Sequence, residues 1–249
     1  MPQRHHFVRE DGTVVDVAWT NREDGDFRVD SGAAQNSGAA QNSDIASRRA
    51  AVMAGPWATV RQVHSNGVVD AADCIAGEVL LEADGIVTAE ANQPISVQGA
   101  DCAPIAFITN RGPIGVAHAG WRGLAAGIIQ SVADRLAAEN ARVEKAIIGP
   151  LICTSCYEFG SEDLDHVAAQ LGDVVRGTTS EGTPALDMAA GIVAAFDAVE
   201  VHEVLFAGGC SSCGGVGFSH RARKEQERHC IVAQILPAGN TTFGQPHDD

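Results

Sequence analysis

Three residues of metal-ligand type stand where short apolar stretches end. They are His64 in Val63-His64-Ser65-Asn66-Gly67, Cys102 in Gly99-Ala100-Asp101-Cys102-Ala103-Pro104, and His118 in Gly115-Val116-Ala117-His118-Ala119-Gly120-Trp121-Arg122-Gly123. Two neutral imidazoles and one thiolate suit zinc, and three protein ligands leave a fourth position for water or substrate, the catalytic arrangement. Copper is the alternative ion, but blue-copper sites add a weak axial Met, and Met1, Met53 and Met188 lie near none of these motifs. A Cys102 nucleophile activated by a neighbouring His is a third chemistry, and residue types alone do not separate it from a metal-bound thiolate. The chain has nine His and seven Cys, so many such triples exist. Three unconnected core or loop residues is the chemically silent competitor.

Other motifs are weaker. Arg122 follows a strand-to-helix turn, where free N–H groups and a guanidinium can grip a phosphate. Asp84, Asp101 and Glu158 are candidate proton carriers, although turn and cap roles are commoner for such carboxylates. Cys153-x-x-Cys156 and Cys210-x-x-Cys213 each have zinc-knuckle spacing. The gap between the pairs is far longer than in a compact zinc ribbon, so packing near a sheet end is the expectation for these thiols. No Gly-x-Ser-x-Gly, Walker loop or dinucleotide fingerprint occurs.

The elements that must position these residues alternate between strand and helix. Val14 to Trp19, Thr59 to His64, Ile95 to Gln98, Ile105 to Thr109, Pro113 to Ala117, Val143 to Gly149, Val204 to Ala207 and Ile231 to Leu236 read as strands. Leu124, Ile128, Val132 and Leu136 recur every fourth position, which predicts one helix after His118. Ile45 to Ala54, Glu162 to Leu171, Ala185 to Phe196 and Arg221 to Glu227 are further helices. The pattern predicts an α/β (α+β) fold, a single layered domain over 1–249 with no separating linker. Gly-Ala-Ala-Gln-Asn-Ser occurs twice in succession, and residues 32–43 read as a flexible surface loop. Gly239 to Asp249 reads as a loose tail.

Bulk properties bound the partners. The 249 residues include 45% hydrophobic types, enough for a full core, and carry a formal net charge of −15. That charge argues against nucleic acid or an anionic membrane surface as partner, and leaves room for a small anion in a locally basic pocket. Met1 to Asp16 is polar, without a signal-peptide core, so a cytoplasmic setting with reduced thiols is expected.

Taken together, the motifs resemble the bacterial laccase-domain family, labelled multicopper polyphenol oxidase and associated with zinc-dependent purine nucleoside phosphorylase and adenosine deaminase activity. The matching stretches are Gln62-Val63-His64, Ala83-Asp84-Gly85-Ile86-Val87-Thr88, Ala100-Asp101-Cys102 and His118-Ala119-Gly120-Trp121-Arg122-Gly123, extended by Gly149-Pro150, Cys156-Tyr157-Glu158 and Phe218-Ser219-His220-Arg221. The resemblance implies mixed sheets flanked by helices, related to cysteine hydrolases. It implies metal ligands at His64, Cys102 and His118, and phosphate binding at Arg22 beside Arg122. Asp24 stands where the family has a glycine after that Arg, and the family's next segment is replaced by the repeat. The implied activity is zinc-dependent phosphorolysis of adenosine, inosine or methylthioadenosine, with adenosine deamination, by a monomer or homodimer in which His64 and Cys102 are catalytic. The alternatives are a Cys102-dependent hydrolase editing peptidoglycan precursors, a copper-dependent polyphenol oxidase, and a non-catalytic nucleoside-binding relative.

Overall fold

In a computed structural model, which describes residues 2–29, 39–76 and 80–239, the described chain forms three sheets and seven helices. The largest sheet runs in the order β11 (Glu203–Phe206), β8 (Val143–Ile148), β6 (Ala103–Thr109), β7 (Ile114–Ala119), β4 (Gly85–Thr88) and β3 (Val68–Asp70). The two outer pairs are parallel and the inner ones antiparallel, so the sheet is mixed. Its central strands are buried on both faces. Ala103, Ile105 and Phe107 of β6 join one core, while Ala106 and Ile108 join another. Such strands read as near-continuous apolar runs.

Helices cover the first face: α3 (Trp121–Ala125), α4 (Ile128–Ala137), α5 (Ser161–Leu171) and α6 (Met188–Asp197). A four-stranded antiparallel sheet covers the second, in the order β1 (Gln3–Val8), β2 (Val14–Trp19), β12 (His229–Leu236) and β5 (Ile95–Gly99). Beyond it, Cys230 and Val232 of β12 pack with Phe27, Met53 and Trp57 beside α1 (Ala39–Val52). Helix α2 (Ala71–Ala76), the pair β9 (Arg176–Thr178) and β10 (Pro184–Leu186), and the short α7 (His220–Arg223) complete the described elements. None of the described helices is long and apolar enough to cross a membrane.

Several expected elements differ. The helix after His118 is broken: Gly127 adopts a left-handed φ of 87° between α3 and α4, a conformation that costs glycine little. Thr59 to His64 forms no strand: among the described residues it makes one isolated bridge, at Arg61, with another at the preceding Ala58. Side chains take the place of a ladder there. Gln62 both donates to the Gln98 carbonyl and accepts from the Gln98 amide, and Asp84 collects the amides of Val63, His64 and Ser65. The last predicted helix ends at Arg223, because Lys224 turns left-handed with φ 56°. Ala185 and Leu186 belong to β10, and α6 starts only at Met188, capped by the Asp187 carboxylate. Of the repeat, 32–38 lies outside the described residues, as does 240–249 of the tail, and Ala39 onward is helix rather than loop.

Candidate active site

Asp84 organises one side of the site. It is fully buried at the start of β4. Its Oδ1 accepts the His64 amide at 3.0 Å and lies 2.8 Å from His118 Nδ1, while Oδ2 accepts the Ser65 amide and hydroxyl at 2.6 and 2.9 Å. A buried carboxylate needs such donors. They shape the loop that carries His64, whose own φ is 61°, an uncommon conformation for a residue with a side chain. With Nδ1–H directed at Asp84, a neutral His118 keeps its Nε2 lone pair available.

His118, near the end of β7, and Cys102, just before β6, are brought together by antiparallel pairing, which sets Ala103 opposite Ala119 and Pro104 opposite His118. Asp101, next to Cys102, also has a positive φ of 103°. It is held by the Ser211 hydroxyl at 2.7 Å and the Arg221 amide at 2.6 Å. One donor atom from each of His64, Cys102 and His118 lies within 4.8 Å of the others. His64 Nε2 is 3.8 Å from Cys102 Sγ, and the two imidazole rings meet edge to face at 4.9 Å. Donors about 2.0–2.3 Å from one tetrahedral centre stand about 3.5 Å apart, so both the spacing and the donor chemistry suit a metal ion. The backbone also leaves room for the cluster. A Cβ on Gly120 would sit 2.6 Å from His64 Cδ2 and 3.1 Å from Cys102 Sγ, and one on Gly123 would sit 2.8 Å from the Ser65 carbonyl. His118 is buried, Cys102 half-buried and His64 exposed, so the cluster has one open side.

The electrostatics of the three are coupled. Burial pushes the Cys102 thiol up, but the charge and hydrogen bond of His118, aided by His64, outweigh it and bring the thiol down to about 6. Burial also disfavours a charged His118, yet the Cys102 thiolate and the Asp84 hydrogen bond raise it to about 9. Without metal, the two therefore form a thiolate–imidazolium pair at neutral pH.

The open side faces a cleft of about 740 Å³ that His64, Cys102 and His118 help to line. Among the described residues, five cations line it, Arg28, Arg61, Arg221, Lys224 and Arg228, against one carboxylate, Asp101, and Arg61 is ion-paired with Glu82 beside it. In a chain of net charge −15, this concentrates positive potential at the site. Tyr157 adds an aromatic ring, and burial raises its hydroxyl pKa so that it stays protonated.

The family model for the multi-copper polyphenol oxidoreductase laccases matches residues 8–235. The chain belongs to that family. A purine nucleoside phosphorylase of Rickettsia prowazekii is 41% identical over 100 residues, 40% of this chain and 41% of that protein. One from Streptomyces griseus is 30% identical over 183 residues, covering 71% of this chain and 66% of its own length. An adenosine deaminase from an unknown prokaryotic organism is 32% identical over 173 residues, 64% of this chain and 66% of that one. The chain thus spans about two fifths of the length of the first curated relatives it matches. Among solved structures, a Neisseria meningitidis protein superposes with TM-score 0.74 at 21% identity, covering 95% of this chain and 99% of the other. The Bacillus licheniformis protein YfiH gives 0.73 at 22% identity, over 93% and 99%. These two show that the fold is shared.

Within this laccase-family chain, the expected phosphate residues lie elsewhere than the cleft lining. Arg22 pairs with Glu225 and lies over the Phe218 ring at 5.1 Å. Arg122 is exposed and stacks over Trp121 at 4.2 Å. Glu158 lies outside the cleft lining; its backbone bridges Ala185 and its backbone carbonyl accepts from the Arg221 guanidinium. The positioning role of Asp84 and the cationic lining by Arg28, Arg61, Lys224 and Arg228 were not read from the sequence. The close spacing of Arg221, Lys224 and Arg228 in one segment was the available signal.

Proposed function

We propose that this protein is a metal-dependent purine nucleoside phosphorylase, with zinc as its ion and adenosine, inosine or methylthioadenosine as substrate. The supporting observation is the His64–Cys102–His118 donor set opening onto a cleft whose described lining is rich in Arg and Lys. The relatives named purine nucleoside phosphorylase point the same way, and the one named adenosine deaminase suggests deamination as a second activity.

His64 Nε2, Cys102 Sγ and His118 Nε2 would hold the ion. When bound, it supplies Lewis-acid polarisation to a polar group that approaches it. The chain does the rest. In phosphorolysis an oxygen of hydrogen phosphate bonds to ribose C1′ as the C1′–N9 bond breaks, and the proton that phosphate gives up ends on the departing purine. The cationic lining binds phosphate and places it in the cleft. The Tyr157 hydroxyl, protonated throughout, can donate a hydrogen bond to a base lodged there. Asp84 keeps the His118 ring oriented. Arg22 would act on phosphate through the 221–228 segment, which its pair with Glu225 holds in place. Arg122, exposed and stacked over Trp121, would be a second phosphate contact. A cytoplasmic setting supplies both substrates.

One observation favours a second reading. Cys102, His118 and Asp84 form a thiolate–imidazole–carboxylate series, the constellation of a cysteine hydrolase. Free purine and ribose 1-phosphate, measured from adenosine and inosine with and without phosphate, test the first reading. Its expected result is base release only with phosphate, lost on chelation. Activity on a cell-wall peptide that survives chelation and ends on Cys102 alkylation would favour the hydrolase instead.

A further inference from the structure

A second cluster of donors is linked to Asp101 through hydrogen bonds from the neighbouring Ile152 and Ser211. Strands β8 and β11 are parallel neighbours, so the segments that follow them leave the same end of the sheet. A parallel bridge between Leu151 and Cys210 carries the two segments on side by side. The result brings Cys153, Cys156, Cys210 and Cys213 together, with all four sulfurs within 4.8 Å of one another. The spacing within each pair is that of a zinc knuckle; what the sequence could not show was that the sheet closes the long gap between the pairs.

We propose that Cys153, Cys156, Cys210 and Cys213 bind one structural zinc ion. Sulfurs about 2.3 Å from a tetrahedral zinc stand about 3.8 Å apart, and Cys153 Sγ lies 3.8 Å from Cys213 Sγ. A disulfide would need about 2.05 Å, and all four cysteines are free. The surrounding backbone is already shaped as two knuckles. Cys153 N–H donates to Cys210 Sγ at 3.3 Å, Cys156 N–H returns to the Cys153 carbonyl at 3.0 Å, and Gly214 N–H to the Cys210 carbonyl at 3.1 Å. A Cβ on Gly214 would sit 2.6 Å from that carbonyl, so the turn after Cys213 excludes a side chain. Arg223 clamps the second knuckle through the carbonyls of Ser211 and Ser212, both at 2.9 Å. Four sulfur ligands leave no open position, which makes the site structural.

Its place in the fold gives it a role. Both knuckles are tied to Asp101: Ile152 N–H donates to the Asp101 carbonyl at 2.9 Å, and the Ser211 hydroxyl to Oδ1 at 2.7 Å. Asp101 precedes Cys102 and carries the strained φ of 103°. The ion pins the ends of β8 and β11 and thereby holds the backbone that presents Cys102. The inference does not depend on which reaction the cleft performs.

The test is metal analysis of the full chain purified under reducing conditions, with X-ray absorption at the zinc edge. The double variant His64→Ala/Cys102→Ser removes two of the other cluster's donors and leaves all four knuckle cysteines. It should retain about one zinc per chain in an all-sulfur shell. Cys210→Ser/Cys213→Ser in the otherwise native chain should lose about one zinc per chain. Because that variant could misfold, alkylation of the native chain provides a second reading. The four cysteines should resist a thiol reagent until a chelator is added and then react together. Absence of zinc from the His64→Ala/Cys102→Ser protein, nitrogen or oxygen in its shell, iron with labile sulfide, or a native mass showing a disulfide would each overturn the proposal.

Discussion

Asp84 and His118 are joined by a 2.8 Å contact between Oδ1 and Nδ1, and both side chains are buried. The same carboxylate holds the amides of His64 and Ser65. One residue therefore fixes the ring of one candidate ligand and the backbone of another. Asp84→Asn removes the charge and disturbs both. Metal affinity, read by competition with a chromogenic chelator, is expected to fall about 10–100-fold. Unchanged affinity would mean that Asp84 only shapes a turn.

Gly120 offers a steric test. Its φ of −77° is open to any residue, so Gly120→Ala acts through the Cβ alone, which would press on His64 and Cys102. Turnover is expected to drop on the order of 100-fold, with a stability loss of about 1–3 kcal/mol from overpacking. Gly160→Ala, where nothing lies within 4 Å, is the control and should change neither.

The thiolate–imidazolium pair predicts a pH profile for the metal-free protein. Cys102 is lowered from 9.0 to about 6, against burial, chiefly by His118. Its alkylation rate, measured by mass spectrometry, should rise through about pH 6 and level off well below the usual thiol range. His118→Ala should move that rise back toward pH 9. The stabilisation that follows from the low Cys102 value is fully present above 9 and fades as pH falls through 6. That from the raised His118 value is fully present below 6.5 and fades as pH rises through 9.

His229 predicts a separate acid sensitivity. It is buried on β12, where Nδ1 accepts the Phe218 amide and Nε2 donates to the Pro150 carbonyl. Burial lowers it from 6.5 to about 4. Between those values the unfolded chain takes up a proton that the folded chain refuses. Stability is therefore full above about pH 6.5 and falls toward pH 4, by about 3 kcal/mol at most. Urea unfolding across this range should show the slope, and His229→Gln should flatten it.

What could be read from the sequence follows from how local each signal is. Strands β6 and β7 bury both faces, so their apolar runs were plain, and with them the positions of Cys102 and His118. The polar β1 pairs only with β2, at the sheet edge, and left no apolar pattern to find. The Thr59–His64 stretch looked like a strand because its side chains alternate, yet the Asp84 carboxylate takes the amides of Val63 and His64, and the Gln62 side chain pairs with the Gln98 backbone. The helix break at Gly127 was hidden because Leu124 and Ile128 face the same core on either side of it. The cationic lining comes from Arg28, Arg61 and the 221–228 segment, which only the tertiary fold assembles.

The most direct measurement is ribose 1-phosphate formed from inosine and phosphate by zinc-loaded protein, compared with Cys102→Ser and His64→Ala. Product from the wild-type chain alone, absent without phosphate and restored after chelation by added zinc, is the predicted result. Equal product from either variant, or product that persists through chelation, would contradict a reaction centred on His64, Cys102 and His118.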